Sequence, residues 1–168
     1  AEDGTPLNAV LLPPIVREEG RRYPLLVYVY GGPTAQLVSN GYSRLYPFFV
    51  HLTQAGYGVF IVDNRGTANR DRAFTRALYR RFGQVELEDQ RQAVRAVLRQ
   101  TPWIDGERVG IFGWSYGGYV SALAFLEEDS PFRAAVSVAP VTDWSLYDTH
   151  YTERYLGDPA VAANDYDH

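Results

Sequence analysis

The chain has 168 residues, 46% of them apolar and 21% charged, which suffices for one domain with a sizeable core. No apolar run approaches the roughly 18 residues of a membrane span, and a net charge of −4 is too mild to argue for nucleic acid. The absence of cysteine excludes a disulfide framework and a thiolate metal site. No metal or other cofactor is expected.

All 16 basic residues are arginine, a compositional bias of the source. Six of them crowd the stretch from Arg65 to Arg81, while nine acidic residues follow from Glu127 onward. With no aromatic stacking ladder or nucleic-acid motif beside them, these read as solvated faces. Methionine is absent, position 1 included, and the chain is expected to begin inside a longer product.

Asp3-Gly4-Thr5 is a turn signal, and Leu7 to Leu12 reads as a strand stopped by Pro13-Pro14. Tyr23 to Tyr30 is almost wholly apolar and aromatic, as in a strand covered on both faces, and ends in Gly31-Gly32-Pro33. Tyr46 to Ala55 predicts a helix closed by Gly56, and Gly58 to Val62 a buried strand closed by Asp63-Asn64-Arg65-Gly66. Asp63 and Arg65 are expected to hold a loop. Thr67 to Phe82 shows no dominant period.

Leu87 to Gln100 predicts an amphipathic helix, with Leu87, Val94, Val97 and Leu98 on one stripe and Glu88, Arg91, Arg95 and Arg99 away from it. Asp105-Gly106 then turns the chain into a strand through Val109, Ile111 and Phe112. Ala134 to Ala139 reads as a short buried strand ended by Pro140. Strands alternating with helices argue for a mostly parallel α/β sheet flanked by helices on both faces.

The central stretch is Gly113-Trp114-Ser115-Tyr116-Gly117, a G-x-S-x-G between a predicted strand and a predicted helix. In a nucleophile elbow the serine sits at the tip of a strained turn, and the glycines two residues away let strand and helix pass closely. The helix that follows aims backbone N–H groups at a reacting carbonyl, the amide of Tyr116 being one oxyanion donor. Ser115 is thus the candidate nucleophile.

Four stretches resemble, in order and spacing, the dipeptidyl peptidase IV group of the prolyl oligopeptidase family. They are Tyr30-Gly31-Gly32-Pro33 with Gln36, Asp63-Asn64-Arg65-Gly66, Gly113 through Tyr119, and Pro140-Val141-Thr142-Asp143-Trp144 through Tyr151-Thr152-Glu153-Arg154-Tyr155. The resemblance implies an α/β-hydrolase catalytic domain that releases dipeptides from peptides with Pro or Ala near the N-terminus. It implies Ser115 as nucleophile, Tyr116 as backbone oxyanion donor, and the Tyr30 hydroxyl as the second donor. It makes Val141, Trp144, Tyr147 and Tyr151 the apolar pocket for the proline ring. Their spacing of 3, 3 and 4 places them on one side of a helical segment.

The same resemblance implies a triad Asp and His after the serine, a propeller domain before the hydrolase domain, and a homodimer. None of His51, His150 and His168 matches the catalytic His, so residues 1–168 are expected to be the N-terminal part of the catalytic domain, C-terminally incomplete and inactive alone. A prolyl tripeptidyl peptidase, an acylaminoacyl peptidase or esterase of the same fold, and a non-catalytic interaction fragment are the alternatives.

Overall fold

Five strands form one sheet in the computed structural model, which describes residues 1–166. They are β1 (Asn8–Leu12), β2 (Tyr23–Val29), β3 (Gly58–Asp63), β4 (Ile104–Trp114) and β5 (Ala134–Val138), in the spatial order β1-β3-β2-β4-β5. β1 runs antiparallel to β3, and the other neighbours pair in parallel. The helices are α1 (Tyr46–Gln54), α2 (Arg72–Thr75), α3 (Val85–Gln100), α4 (Tyr116–Leu126) and α5 (Thr149–Leu156).

Alternation along the strands separates the two sheet faces. Leu25, Val27, Val29, Val109 and Ile111 pack with Val85, Val94, Val120 and Ala124 of α3 and α4. Tyr28, Val59 and Ile61 pack with Phe49 of α1 on the other side. Successive side chains of a strand point to opposite faces, so continuous apolar runs such as Leu25–Val29 and Val59–Val62 are what a sheet covered on both sides requires. The mostly parallel α/β architecture predicted above is the one observed.

Three details differ from the predicted elements. β4 continues through Asp105-Gly106 with only a register shift opposite Tyr23 and Leu25. β5 is half exposed, with Val136 55% accessible, because it lies at the sheet edge and only its α4-facing side is covered. The ring-bearing segment after Pro140 is broken: Trp144–Leu146 is a single 3-10 turn, Tyr147 is extended, and α5 starts afresh at Thr149 under an Asp148 cap. Each of these two short elements opens on an aspartate whose side chain accepts a backbone N–H, Asp143 from Ser145 and Asp148 from Tyr151. Two caps in quick succession restart the helix and prevent a continuous one.

The stretch without a dominant period, Thr67 to Phe82, holds the four-residue α2 and turns. Phe74, Leu78 and Phe82, spaced by four, all drive into the core. Gly66, at φ 97°, lies against the Leu78 side chain with no room for a Cβ.

Candidate active site

Parallel sheets bind ligands in the crevice outside the carboxyl ends of two adjacent strands whose connections leave toward opposite faces. β2 and β4 are such a pair. After β2 the chain passes to α1 on one face, and after β4 it passes to α4 on the other. Val29 and Gly113 are partners in register. Tyr30 and Ser115 therefore lie just past the ends of neighbouring strands, on either side of the crevice.

Ser115 adopts φ 56° and ψ −116° between β4 and α4, a conformation that costs a non-glycine residue roughly 1–3 kcal/mol. The surrounding backbone over-determines it. Ser115 N–H donates to the Val138 carbonyl at 2.9 Å, and its own carbonyl accepts the first helical bond from Tyr119 N–H at 3.0 Å. A Cβ on Gly117 would sit 3.0 Å from the Tyr30 Cα, and one on Gly118 would sit 2.6 Å from the Val138 carbonyl oxygen. The elbow thus has the predicted strand-turn-helix form, and Gly118 joins the two glycines that the motif specifies. The N–H groups of Tyr116, Gly117 and Gly118 belong to the first turn of α4, where no intrahelical acceptor exists for them.

Tyr30 is partly buried beside this turn, its ring 6.0 Å from that of Tyr116. Burial, reinforced by the neighbouring Tyr147 and Tyr155, pushes its hydroxyl pKa above the ordinary tyrosine value, so it remains a proton donor at neutral pH.

The four residues expected to form an apolar pocket are gathered near the elbow, but unequally exposed. Trp144 is 2% accessible and wedged among Phe82, Tyr116 and Tyr119, with ring centroids 4.9–5.4 Å away. Tyr147 is 41% accessible. Tyr151 is half-buried, stacked on Trp144 at 6.2 Å and edge-on to Tyr147 at 5.5 Å. Val141 is half-buried against the core. Tyr147, Tyr151 and Val141 thus keep accessible surface, and Trp144 lies buried behind them. Beside them a cleft of about 410 Å³ is lined by Pro33, Thr34, Arg76, Tyr79, Arg154 and Tyr155, among others.

The N-terminal half of α3 contributes residues that the sequence pattern did not single out. Glu86, Asp89 and Gln90 are fully buried. Asp89 takes the backbone N–H of Arg65 at 2.8 Å and two guanidinium nitrogens of the same residue. Gln90 donates to Asn64 Oδ1 at 3.0 Å, and Asn64 donates to the Gly31 carbonyl at 2.9 Å, which fixes the loop after Tyr30. Asp63 accepts from the Leu37 and Val38 N–H groups of the same loop at 2.9 and 3.0 Å. Asp63 and Arg65 hold loops, as expected from sequence. Glu86 Oε1 accepts the Tyr116 hydroxyl at 2.6 Å.

His51 lies exposed on α1, on the sheet face opposite α4, and His150 is exposed on α5. His168 lies outside the described residues. Among the described residues no side-chain hydrogen bond joins Ser115 to either histidine.

Residues 43–168 match the model of the prolyl oligopeptidase family. The chain belongs to that family. Dipeptidyl peptidase 8 of Mus musculus is 42% identical over 157 residues, covering 93% of this chain and 18% of that protein. Prolyl endopeptidase FAP of Mus musculus is 41% identical over 155 residues, or 92% of this chain and 20% of that protein. The crystal structure of a Bacteroides ovatus protein assigned as a dipeptidyl aminopeptidase IV superposes with a TM-score of 0.91 at 37% identity, covering 99% of this chain and 24% of that one. The prolyl oligopeptidase family chain described here thus spans about a fifth of the length of the curated relatives it matches. Its sheet, flanking helices and elbow are α/β-hydrolase-like, as the sequence predicted.

Proposed function

We propose that Ser115 is the nucleophile of a serine peptidase that releases N-terminal dipeptides by cleavage after Pro or Ala. The observation that supports this most is the strained Ser115 turn at the mouth of the β2–β4 crevice, with Tyr30 across from it and the Trp144–Tyr147–Tyr151 rings beside it. In this reading Ser115 Oγ attacks the scissile carbonyl as a general base takes its proton. The alkoxide is met by the Tyr116 N–H and the Tyr30 hydroxyl. The leaving amine takes the proton back, and water then hydrolyses the acyl-enzyme.

Tyr147, Tyr151 and Val141, over the Trp144 floor, form the wall for the proline ring. Proline is a rigid group with no N–H to satisfy and little entropy to lose. The base and its orienting carboxylate belong, in this reading, to chain outside the described residues, as do a propeller domain and a dimer contact.

A fluorophosphonate probe incubated with the full-length protein should label Ser115, mapped by mass spectrometry, and Ser115→Ala should abolish both labelling and release of Gly-Pro from a chromogenic substrate. Tyr30→Phe should lower kcat by about a hundredfold or more with substrate still bound, the usual consequence of losing one oxyanion donor. A wild-type protein that resists the probe and leaves the substrate intact would refute the assignment.

The relative named a prolyl endopeptidase favours a second reading, cleavage after internal proline. Comparing N-terminally free with N-terminally blocked Gly-Pro substrates separates the two.

A further inference from the structure

We propose, on the reading of Ser115 as the nucleophile, that Glu86 is a positioning residue for the oxyanion hole. Its buried carboxyl grips the far end of the Tyr116 side chain and thereby fixes the direction of the Tyr116 backbone N–H. The elbow's first helical turn is Tyr116, Gly117, Gly118 and Tyr119. Gly117 and Gly118 have no side chains, because the backbones of Val29, Tyr30 and Val138 leave them no room. Tyr116 is therefore the side chain nearest the strained serine that can brace this turn, and it belongs to the residue whose amide faces the developing charge.

That side chain is held at both ends. Its ring is 2% exposed and packed among Phe82 at 5.1 Å, Trp144 at 5.4 Å and Tyr119 at 5.6 Å. Its near end leaves no space for a Cβ on Gly32, which would fall 2.6 Å from the Tyr116 Cγ. Its hydroxyl donates to Glu86 Oε1 at 2.6 Å, and the same oxygen accepts the Gly83 N–H at 2.8 Å. Packing alone would seat a phenylalanine in this slot. A carboxyl with no solvent exposure is unfavourable unless it is well bonded, and Glu86 Oε2 has no hydrogen-bond partner among the described residues. What the carboxyl adds over an apolar residue is direction, since a hydrogen bond at the end of a ring restrains rotation and sliding that apolar contacts tolerate.

Oxyanion donors act by being fixed before the charge appears, and displacement of a donor by a fraction of its bond length weakens it in the transition state while leaving ground-state binding intact. Loss of the Glu86 grip should consequently appear in kcat and not in KM.

The test uses the full-length protein with a Gly-Pro chromogenic substrate, measuring kcat, KM and thermal midpoint for Tyr116→Phe, Glu86→Leu, Glu86→Gln and the double variant Glu86→Leu/Tyr116→Phe. Expected are a fall in kcat of about ten- to a hundredfold for Tyr116→Phe and Glu86→Leu, with KM within about twofold. The double variant should be no worse than the single ones, because both remove the same contact. Glu86→Gln, which keeps an acceptor oxygen, should recover most of the loss. Tyr116→Phe deletes a single oxygen and keeps the test open if Glu86→Leu does not fold. A lowered thermal midpoint with kcat unchanged in Tyr116→Phe would overturn the proposal and make the pair purely structural. A wild type that neither turns over substrate nor labels at Ser115 would overturn this inference together with the reading it rests on.

Discussion

Gly113 and Gly117 pack backbone to backbone: a Cβ on Gly113 would run into the Gly117 carbonyl and stand 2.6 Å from the carbonyl oxygen of Val29. The G-x-S-x-G spacing is thus a packing requirement before it is a catalytic one. Gly113→Ala should destabilise the protein by about 3 kcal/mol or more, because the obstacles are backbone atoms that cannot swing aside. Gly106→Ala is the matched control on the same strand. A Cβ there meets nothing within 4 Å, and its stability should stay within about 0.5 kcal/mol of wild type. Urea unfolding of the two variants checks the contrast.

Ser115 is held at positive φ for the sake of the turn, and the strain is separable from the chemistry. Both Ser115→Ala and Ser115→Gly should be inactive. The glycine variant should be the more stable by about 1 kcal/mol, since it alone adopts φ 56° without steric cost. Equal thermal midpoints for the two would show that the elbow stores no such strain.

The elbow, the strands and the apolar half of α3 were legible because each depends on a local pattern: small residues around a serine, continuous apolar runs, a 3.6-residue stripe. What was not legible depends on neighbours remote in sequence. Ala134 to Ala139 reads as a buried strand from composition, yet β5 within it is a sheet edge, which the strand order shows. The aromatic spacing after Pro140 fits a helix, yet Asp143 and Asp148 each cap a new element and interrupt it. Glu86, Asp89 and Gln90 were not singled out by the sequence pattern, although all three are buried. A signal was available: counting back from Val94 in steps of four gives Gln90 and Glu86, so these polar residues occupy the extension of the apolar stripe, where burial should have been expected.

The Arg65–Asp89 pair is the clearest stability element among the loop-holding contacts. Asp89 has no exposed side-chain surface and Arg65 has 18%. Removing one partner of such a pair leaves an uncompensated buried charge, at a cost of about 3–5 kcal/mol. Arg65→Ala should fall in that range, measured by urea unfolding. Arg65→Lys should recover only part of it, because an ammonium cannot reproduce the forked contact from Nε and Nη2.

If the rings form the proline wall proposed above, their unequal burial lets specificity be separated from folding. Tyr147 keeps 41% of its surface, so Tyr147→Ala should reduce kcat/KM for proline substrates by about tenfold or more while alanine substrates, which fill less of the pocket, lose less. Trp144 is 2% exposed and central to the cluster, and Trp144→Ala should cost about 3–5 kcal/mol of stability and impair both substrates alike. Kinetics on paired Gly-Pro and Gly-Ala chromogenic substrates, with thermal midpoints, distinguish the outcomes. A Tyr147→Ala enzyme with equal losses on both substrates would remove Tyr147 from the proline wall.

Burial raises the pKa of Glu86 above its ordinary value of 4.5, and the Tyr116 hydroxyl, the Gly83 N–H and neighbouring backbone groups only partly oppose that shift. Tyr116 and Tyr119, the titratable groups facing it, are themselves pushed above the ordinary tyrosine value, so neither changes charge at acid or neutral pH. A folded-state pKa above the unfolded one means that the native protein binds the Glu86 proton more tightly. The associated stability is fully present below pH 4.5 and is lost as pH rises through the folded value. Glu86→Gln cannot titrate. The thermal midpoint of wild type relative to Glu86→Gln should therefore be highest at the acid end, decline as pH rises above 4.5 and level off once the folded carboxyl has ionised, other titrations cancelling in the difference. A flat difference across that window would mean that the Glu86 pKa is the same in the folded and unfolded chains, against the shift that burial predicts.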